Sequence, residues 1–404
     1  MKKVALVGAG GRALHMFARP LATELREDVH FCGVYDHNKV RAALLAEECE
    51  VPVYTDFHQM IETAKPDIVL VATTDNTHHI YINTALEAGC DVISEKPLTT
   101  DADKCQSILD TETRTGRQVT VTFNLRFTPY FARIKEVLDS GAIGKILHVD
   151  MQYFLDRLHG ADYFRRWHAE MDNSGGLLVH KSTHHFDIIN WWLGADPKSV
   201  HGFGTRSFYG PTREQWGERC STCSYKESCE FYVDYTQDEF TNRYYMQAEQ
   251  EDGYYRDRCV FHERIDIYDT MSVQVRYDSG AILTYSLVTY SPDEGWKAAI
   301  TGTDGRMEVA CRYSGPERDE ESYTIKIVKP SGEILTEIVP IASGGHGGGD
   351  EKLRAMLFKG GIADPLGQQA GSKAGAMSLL IGAAANRSIA ENKVIQIAEL
   401  MNFS

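Results

Sequence analysis

The chain has 404 residues, 43% hydrophobic and 25% charged, which is enough length for two cores and too apolar a balance for disorder. A formal net charge of −15 with no basic run disfavours nucleic acid as a partner, and no stretch approaches the roughly 20 apolar residues of a membrane span. Lys2-Lys3 before an apolar run imitates a signal peptide, but glycines and Arg12 interrupt that run, and an odd count of nine cysteines, five of them (Cys32, Cys49, Cys90, Cys105, Cys311) scattered through regular segments, fits reduced thiols in a cytoplasmic protein.

Val4-Ala5-Leu6-Val7 predicts a buried first strand. It runs into Gly8-x-Gly10-x-x-Ala13, a turn whose backbone N–H groups can approach a pyrophosphate at a helix N-terminus, with Gly11 and Arg12 inside it. A helix is expected from Leu14 to about Leu25, then a second strand from Val29 to Asp36. An acid at that strand end accepts hydrogen bonds from ribose hydroxyls and repels a 2′-phosphate, so Asp36 favours NAD over NADP. The competing readings are a solvated strand end or a helix cap before Asn38, and His37 and Arg41 stand near enough in sequence to contact a phosphate.

The alternation continues with a strand over Asp67–Ala72, a helix over Thr77–Ala88, a strand over Asp91–Ser94, a helix over Ala102–Thr115 and a strand over Gln118–Phe123, which predicts a doubly wound parallel sheet within residues 1–124. Thr73, Thr74, Asp75, Asn76, His78, Glu95, Lys96 and Asn124 fall at or just beyond strand carboxyl ends, where such sheets bind ligands. From 125 to 404 the pattern changes to a helix near Tyr130–Ser140 and longer alternating segments at Ile146–Phe154, Thr270–Tyr277 and Ala281–Tyr290, expected in an open mixed or antiparallel sheet of an α+β domain. Helical spacing returns at about 350–400, after a glycine-rich run holding His346, with Asp350 as the expected cap.

At about 205–265 the chain reads as an insertion without a core of its own. Cys220, Cys223 and Cys229, spaced C-x2-C-x5-C, with Cys259 and His262 downstream, predict a structural zinc knuckle; an iron–sulfur cluster, disulfides or no metal are the alternatives.

The first glycine turn, Glu95-Lys96-Pro97, Asn124-x-Arg126-x-x-Pro129 and the stretch from Gly175 to Asp187 together resemble, from end to end, the glucose-fructose oxidoreductase, inositol dehydrogenase and rhizopine catabolism (Gfo/Idh/MocA) family. The resemblance implies a Rossmann domain, a second α/β domain whose open sheet forms a homodimer or homotetramer, and NAD(P)-dependent oxidation of a secondary alcohol on a sugar or cyclitol. It implies that Lys96 contacts substrate and cofactor and that His184 is the acid/base beside an acidic residue four positions earlier. Here that position is His180, followed by Lys181, so both join the catalytic candidates. On a helix, His180 and His184 would share a face and could chelate a metal with Asp187, or His180 and His185 would bond within the core. Arg126, Tyr163, Trp167, His168 and His185 join Lys96 and His184 as expected substrate contacts, the rings offering stacking faces and the polar groups hydroxyl partners. The expected function is an NAD-dependent oxidoreductase; a redox-neutral NAD-dependent glycosidase, working by transient C3 oxidation and elimination, and a non-catalytic dinucleotide sensor are the alternatives.

Overall fold

Val4, Ala5, Leu6 and Val7 have no exposed surface and Val69, Leu70 and Val71 almost none, the condition of strands covered on both faces by helices. In the computed structural model, which describes residues 1–402, six parallel strands build that sheet: β1 (Lys2–Val7), β2 (Val29–Tyr35), β3 (Val53–Tyr54), β4 (Ile68–Val71), β5 (Asp91–Ser94) and β6 (Val119–Val121). Their order, β6-β5-β4-β1-β2-β3, reverses between β4 and β1, which opens a crevice at the carboxyl ends of those strands. Asn38, Asp56 and Asp101 cap the helices Lys39–Cys49, Phe57–Ala64 and Ala102–Thr115 by accepting backbone N–H bonds. The first crossover is shorter than its apolar spacing predicts. A wide turn over Ala13–Ala18 leads into Arg19–Ala22, and Thr23 then leaves the helical region at φ −121° and ψ −81°.

A second sheet follows, from β7 (Ile146–Asp156), β8 (Pro197–Thr205), β9 (Thr270–Tyr277), β10 (Ile282–Ser291), β11 (Gly295–Gly302), β12 (Gly305–Arg312), β13 (Ser322–Val328) and β14 (Ile334–Pro340). Their order is β14-β13-β12-β11-β7-β10-β9-β8, with β7 and β10 parallel and the other pairs antiparallel. Met271, Val273, Val275 and Tyr277 face the core while Ser272, Gln274 and Arg276 face outward, the period-two pattern of a sheet covered on one side.

The C-terminal segment is more than a pair of helices. After the helix Gly349–Phe358, β15 (Ala370–Gly371) pairs antiparallel with β6, the helix Ser372–Glu391 packs on β8, and β16 (Ile395–Gln396) pairs with β8, so this segment ties the two sheets together. Nor does the cysteine-rich segment lack apolar anchors: Phe231, Val260, Phe261 and Ile265 are buried in one core, and Tyr244 and Tyr245 pack into the core beside β1 and β2. No helix among the described residues is long and apolar enough to cross a membrane.

Candidate active site

A cleft of about 770 Å³ lies at the carboxyl ends of the parallel strands. At one end is the glycine turn. Gly8 sits at φ +101°, and a Cβ there would stand 2.3 Å from the Ala72 carbonyl oxygen, so only glycine lets β1 turn beside the end of β4. Ala9 and Asn38 donate their N–H groups to the Asp36 carboxylate, both at 2.7 Å, which fixes that carboxylate in the cleft wall; the helix cap is Asn38 itself. Arg12 spans the floor, bonded to Glu95 at 2.8 Å and to Asp350 at 3.0 Å, and Asp350 also accepts from Asn124 at 2.7 Å and faces His346 Nδ1 at 2.9 Å. Against its burial, bonds from His346 and Arg12 hold the Asp350 carboxyl below the usual range. Asp350 therefore joins three cleft residues, and the cap of its helix is Gly348.

At the other end stand the ionisable groups suited to chemistry. Burial depresses the Lys96 ammonium while Asp75 opposes that shift, and Lys96 Nζ donates to the His180 carbonyl at 3.2 Å. His180 Nδ1 lies 2.6 Å from Asp75 Oδ2, both buried. Burial pushes the imidazole of His180 down and the carboxyl of Asp75 up, and the close approach satisfies both groups. His168 stacks on Trp167 at 3.7 Å between centroids and meets the edge of His180 at 4.2 Å; Tyr163 meets His168 at 5.3 Å. Arg166 pairs with Asp162 at 3.0 Å and His159 with Glu294 at 2.9 Å. His184 lines the same cleft, with burial and then Lys96 and Lys181 holding it well below its ordinary value, so its neutral, proton-accepting form prevails near neutrality. Lys181 Nζ sits over the rings of Tyr153 and Tyr163, 5.6 and 5.5 Å from their centroids.

Six buried polar atoms without hydrogen-bond partners belong to residues that line this one cleft: Arg41 Nη1, Asn76 Oδ1, Asn124 Oδ1, His184 Nδ1, Tyr254 OH and Arg256 Nε. Buried polar atoms are normally satisfied, so their convergence marks a wall built for a polar ligand. Gly10 and Gly11 form a cradle that the Tyr245 hydroxyl covers: a Cβ on either would stand 3.6 and 3.4 Å from it, and at Gly11 also 3.4 Å from the Phe240 ring. A dinucleotide fits this donor set.

Of the expected cofactor contacts, Gly10, Gly11, Arg12, Ala13, Asp36, Thr73, Thr74, Asn76, His78, Glu95, Lys96 and Asn124 line the cleft, while Gly8 shapes the turn behind it. His78 turns its two ring nitrogens to the carbonyls of Pro97 and Thr73, at 2.9 and 3.2 Å, and in the neutral form that burial favours it donates to one of them. Tyr163, Trp167, His168 and His184 also line the cleft.

Two expected substrate residues lie elsewhere. Arg126 is buried and grips Asp187 with two bonds of 2.8 and 2.6 Å, which also removes Asp187 from any metal set. His185 is buried against the Tyr285 hydroxyl at 3.0 Å and lines a side cavity. The expected helical face shared by His180 and His184 is broken, because Ser182 N–H bonds five residues back to Leu177 and inserts a wide turn between them.

The zinc knuckle is corrected too: among the described residues no three His, Cys, Asp or Glu side chains converge to hold a metal, and all nine cysteines are free. Cys220 instead accepts a hydrogen bond from Arg165 at 3.3 Å, and burial raises its thiol against that charge. His262 bonds Glu218 at 2.8 Å. Sequence reasoning missed Tyr245, Asp252, Tyr254 and Arg256, which reach the cleft from the cysteine-rich segment and carry no spacing signature.

Residues 2–123 match the oxidoreductase family with an NAD-binding Rossmann fold, and residues 131–308 match the GFO/IDH/MocA C-terminal domain. The protein YteT of Bacillus subtilis (strain 168) is 37% identical over 99% of both chains. The scyllo-inositol 2-dehydrogenase (NAD(+)) of the same organism is 30% identical over 54% of this chain, which spans 61% of that relative's length. An oxidoreductase from Agrobacterium radiobacter, solved in complex with NAD+, L-tartaric acid and magnesium, shares the fold with a TM-score of 0.67 at 17% identity, covering 99% of both chains. Two matched regions that together span most of the chain, and a full-length relative at this identity, make the protein an oxidoreductase of the GFO/IDH/MocA family.

Proposed function

We propose that the protein oxidises a secondary hydroxyl of a cyclitol or sugar with NAD. The single observation that carries this is the convergence of Lys96, neutral His184 and six unpartnered buried polar atoms in one cleft that begins at the glycine turn. NAD, held by the Gly10–Ala13 turn, Asp36, Thr73, Thr74 and Asn76, supplies the two-electron acceptor. Lys96 holds the substrate hydroxyl by hydrogen bond and stabilises negative charge as it develops on that oxygen. His184 takes the hydroxyl proton, since an imidazole kept neutral by burial is already in base form. The Asp75–His180 pair fixes the carbonyl to which Lys96 is tethered. Tyr163 and Trp167 offer ring faces to sugar C–H groups. Asp36 favours NAD over NADP by repelling a 2′-phosphate.

One observation supports a second reading, the redox-neutral glycosidase. Besides Lys96 and His184, the cleft presents Asp75–His180, His159–Glu294 and His346–Asp350, more proton-transfer pairs than one alcohol oxidation requires. Incubation with NAD and a panel of inositols, free hexoses and 4-nitrophenyl glycosides, following NADH and nitrophenol together, separates the two. NADH accumulation supports the dehydrogenase, and nitrophenol release without net NADH supports the glycosidase. Neither product from any substrate, with NAD bound normally, returns the protein to a dinucleotide sensor. The open outer face of the second sheet is proposed as the surface of a homodimer or homotetramer, and the domain junction is placed at Asn124.

A further inference from the structure

The cysteine-rich segment lies across the phosphate end of the cleft. Gly11 N–H, an amide of the pyrophosphate turn, donates to the Tyr245 hydroxyl at 2.7 Å. Anchors on either side fix this arrangement: Tyr244 donates to Glu48 at 2.9 Å, Asn38 Nδ2 donates to the Ala248 carbonyl at 3.0 Å, and Asp252 accepts from Arg41. Against the ring of Tyr245, 4.6 Å from its centroid, rests the guanidinium of Arg256. Among the described residues this guanidinium has no hydrogen bond and no carboxylate at ion-pair distance, and its Nε is buried, while its neighbours Asp257 and Arg258 are paired with Arg219 and Glu218. Asp162 acts on this cation from beyond ion-pair distance and is itself paired with Arg166 at 3.0 Å, so a largely buried guanidinium beside an anion-binding turn keeps its hydrogen-bond donors for a further anion.

We propose that Arg256 binds the pyrophosphate of the dinucleotide from the side opposite the glycine turn, making residues 239–256 a clamp across the cofactor. The inference rests on the NAD-using function above. Tyr245 stands where it can exchange the Gly11 N–H for a phosphate oxygen, because a phenol both donates and accepts. Neither the glycine fingerprint nor the catalytic stretch contains these residues.

Binding tests this directly, by energy transfer from tryptophan to NADH and by displacement of NADH with ADP-ribose or adenosine. Arg256→Met takes away a charge-assisted hydrogen bond to the pyrophosphate. It weakens NADH and ADP-ribose by about tenfold or more, leaves adenosine within about twofold, and flattens the salt dependence of ADP-ribose binding. Unchanged ADP-ribose affinity in Arg256→Met, with NADH still binding the wild type, overturns the clamp alone and assigns Arg256 to substrate or structure. A wild type that binds neither NADH nor ADP-ribose overturns the NAD function itself. Thermal unfolding without cofactor checks the variant's fold. Should Arg256→Met fail to fold, Arg256→Lys keeps the charge but loses the planar fork, and its ADP-ribose affinity falls by about threefold with adenosine unchanged; equal affinity for ADP-ribose there refutes the proposal.

Discussion

Asp75→Ala is the sharpest test of the reacting end. The carboxylate lies 2.6 Å from His180 Nδ1, and the two side chains are 4% and 9% exposed, so no water can replace it cheaply. Removing a charged partner from a buried hydrogen bond costs about 1.5–3 kcal/mol, and that energy is lost where the ring of His180 supports His168 and its carbonyl holds Lys96 Nζ. If the loss is expressed in the transition state, kcat/KM for the best substrate of the panel falls by about 10- to 100-fold, while Kd for NADH, which this pair does not contact through the glycine turn, stays within about twofold. Asp75→Asn retains an acceptor for an N–H and recovers part of the loss. Asp75 also raises the Lys96 ammonium against the depressing effect of burial. Without that charge the lysine loses its proton at lower pH, so the alkaline limb of kcat/KM moves down in both variants. Asp75→Ala with wild-type kcat/KM and an unmoved alkaline limb refutes a positioning role.

Arg126→Met leaves Asp187 buried without its partner and lowers stability by about 3–5 kcal/mol in urea unfolding, and Arg126→Met with Asp187→Leu recovers most of it without raising KM; a raised KM in the double variant restores Arg126 to the substrate. Asp252→Asn releases Arg41 and His37 beside Asp36, and the ratio of NADP to NAD affinity rises by about tenfold in fluorescence titration; an unchanged ratio shows that Asp36 alone sets the preference. His185 is held by burial, with Lys181, at about 3 against its ordinary 6.5, so the unfolded chain binds more protons between these values, and stability that is present above pH 6.5 is lost as pH falls toward 3. Urea unfolding from pH 8 to pH 4 should therefore decline less steeply in His185→Gln than in the wild type, and parallel declines contradict the assignment. Light scattering of the full chain should give a dimer or tetramer, and a clean monomer removes the proposed role of the outer sheet face.

What the sequence displays plainly is whatever is local. Four apolar residues running into Gly8-x-Gly10, and an acid ending the next strand, describe β1, its turn and Asp36 because each signal spans a few residues with a short period. Pairings across the chain are not visible that way. His180 meets a carboxylate 105 positions away, and Arg126 meets Asp187, 61 positions away, so a charged residue in a conspicuous motif reads the same whether it faces a ligand or a buried counter-ion. Periodicity also carries no record of a single inserted residue in a helical ladder, and the Ser182-to-Leu177 bond is enough to separate His180 from His184. The cysteines misled for a related reason: spacing shows which sulfurs are close along the chain, and Arg165, 55 positions before Cys220, decides that one of them is held by a cation.

The same long-range contacts bear on the choice between the two reactions. A dehydrogenase must release its reduced cofactor every turnover, and a segment anchored through Tyr244–Glu48, Asn38–Ala248 and Arg41–Asp252 opposes that release, because those contacts must open before a clamped dinucleotide can leave. A cycle that restores the cofactor to its starting oxidation state carries no such requirement. The extra proton-transfer pairs and the clamp therefore point the same way, although they share no residue. Rapid-mixing kinetics weigh the two: a dehydrogenase behind this clamp shows a burst of enzyme-bound NADH followed by slow release, and weakening the anchors with Tyr244→Phe raises the steady-state rate without changing the burst. A linear time course with no burst, unaffected by Tyr244→Phe, means that the segment opens faster than the chemistry and that the clamp does not discriminate between the reactions.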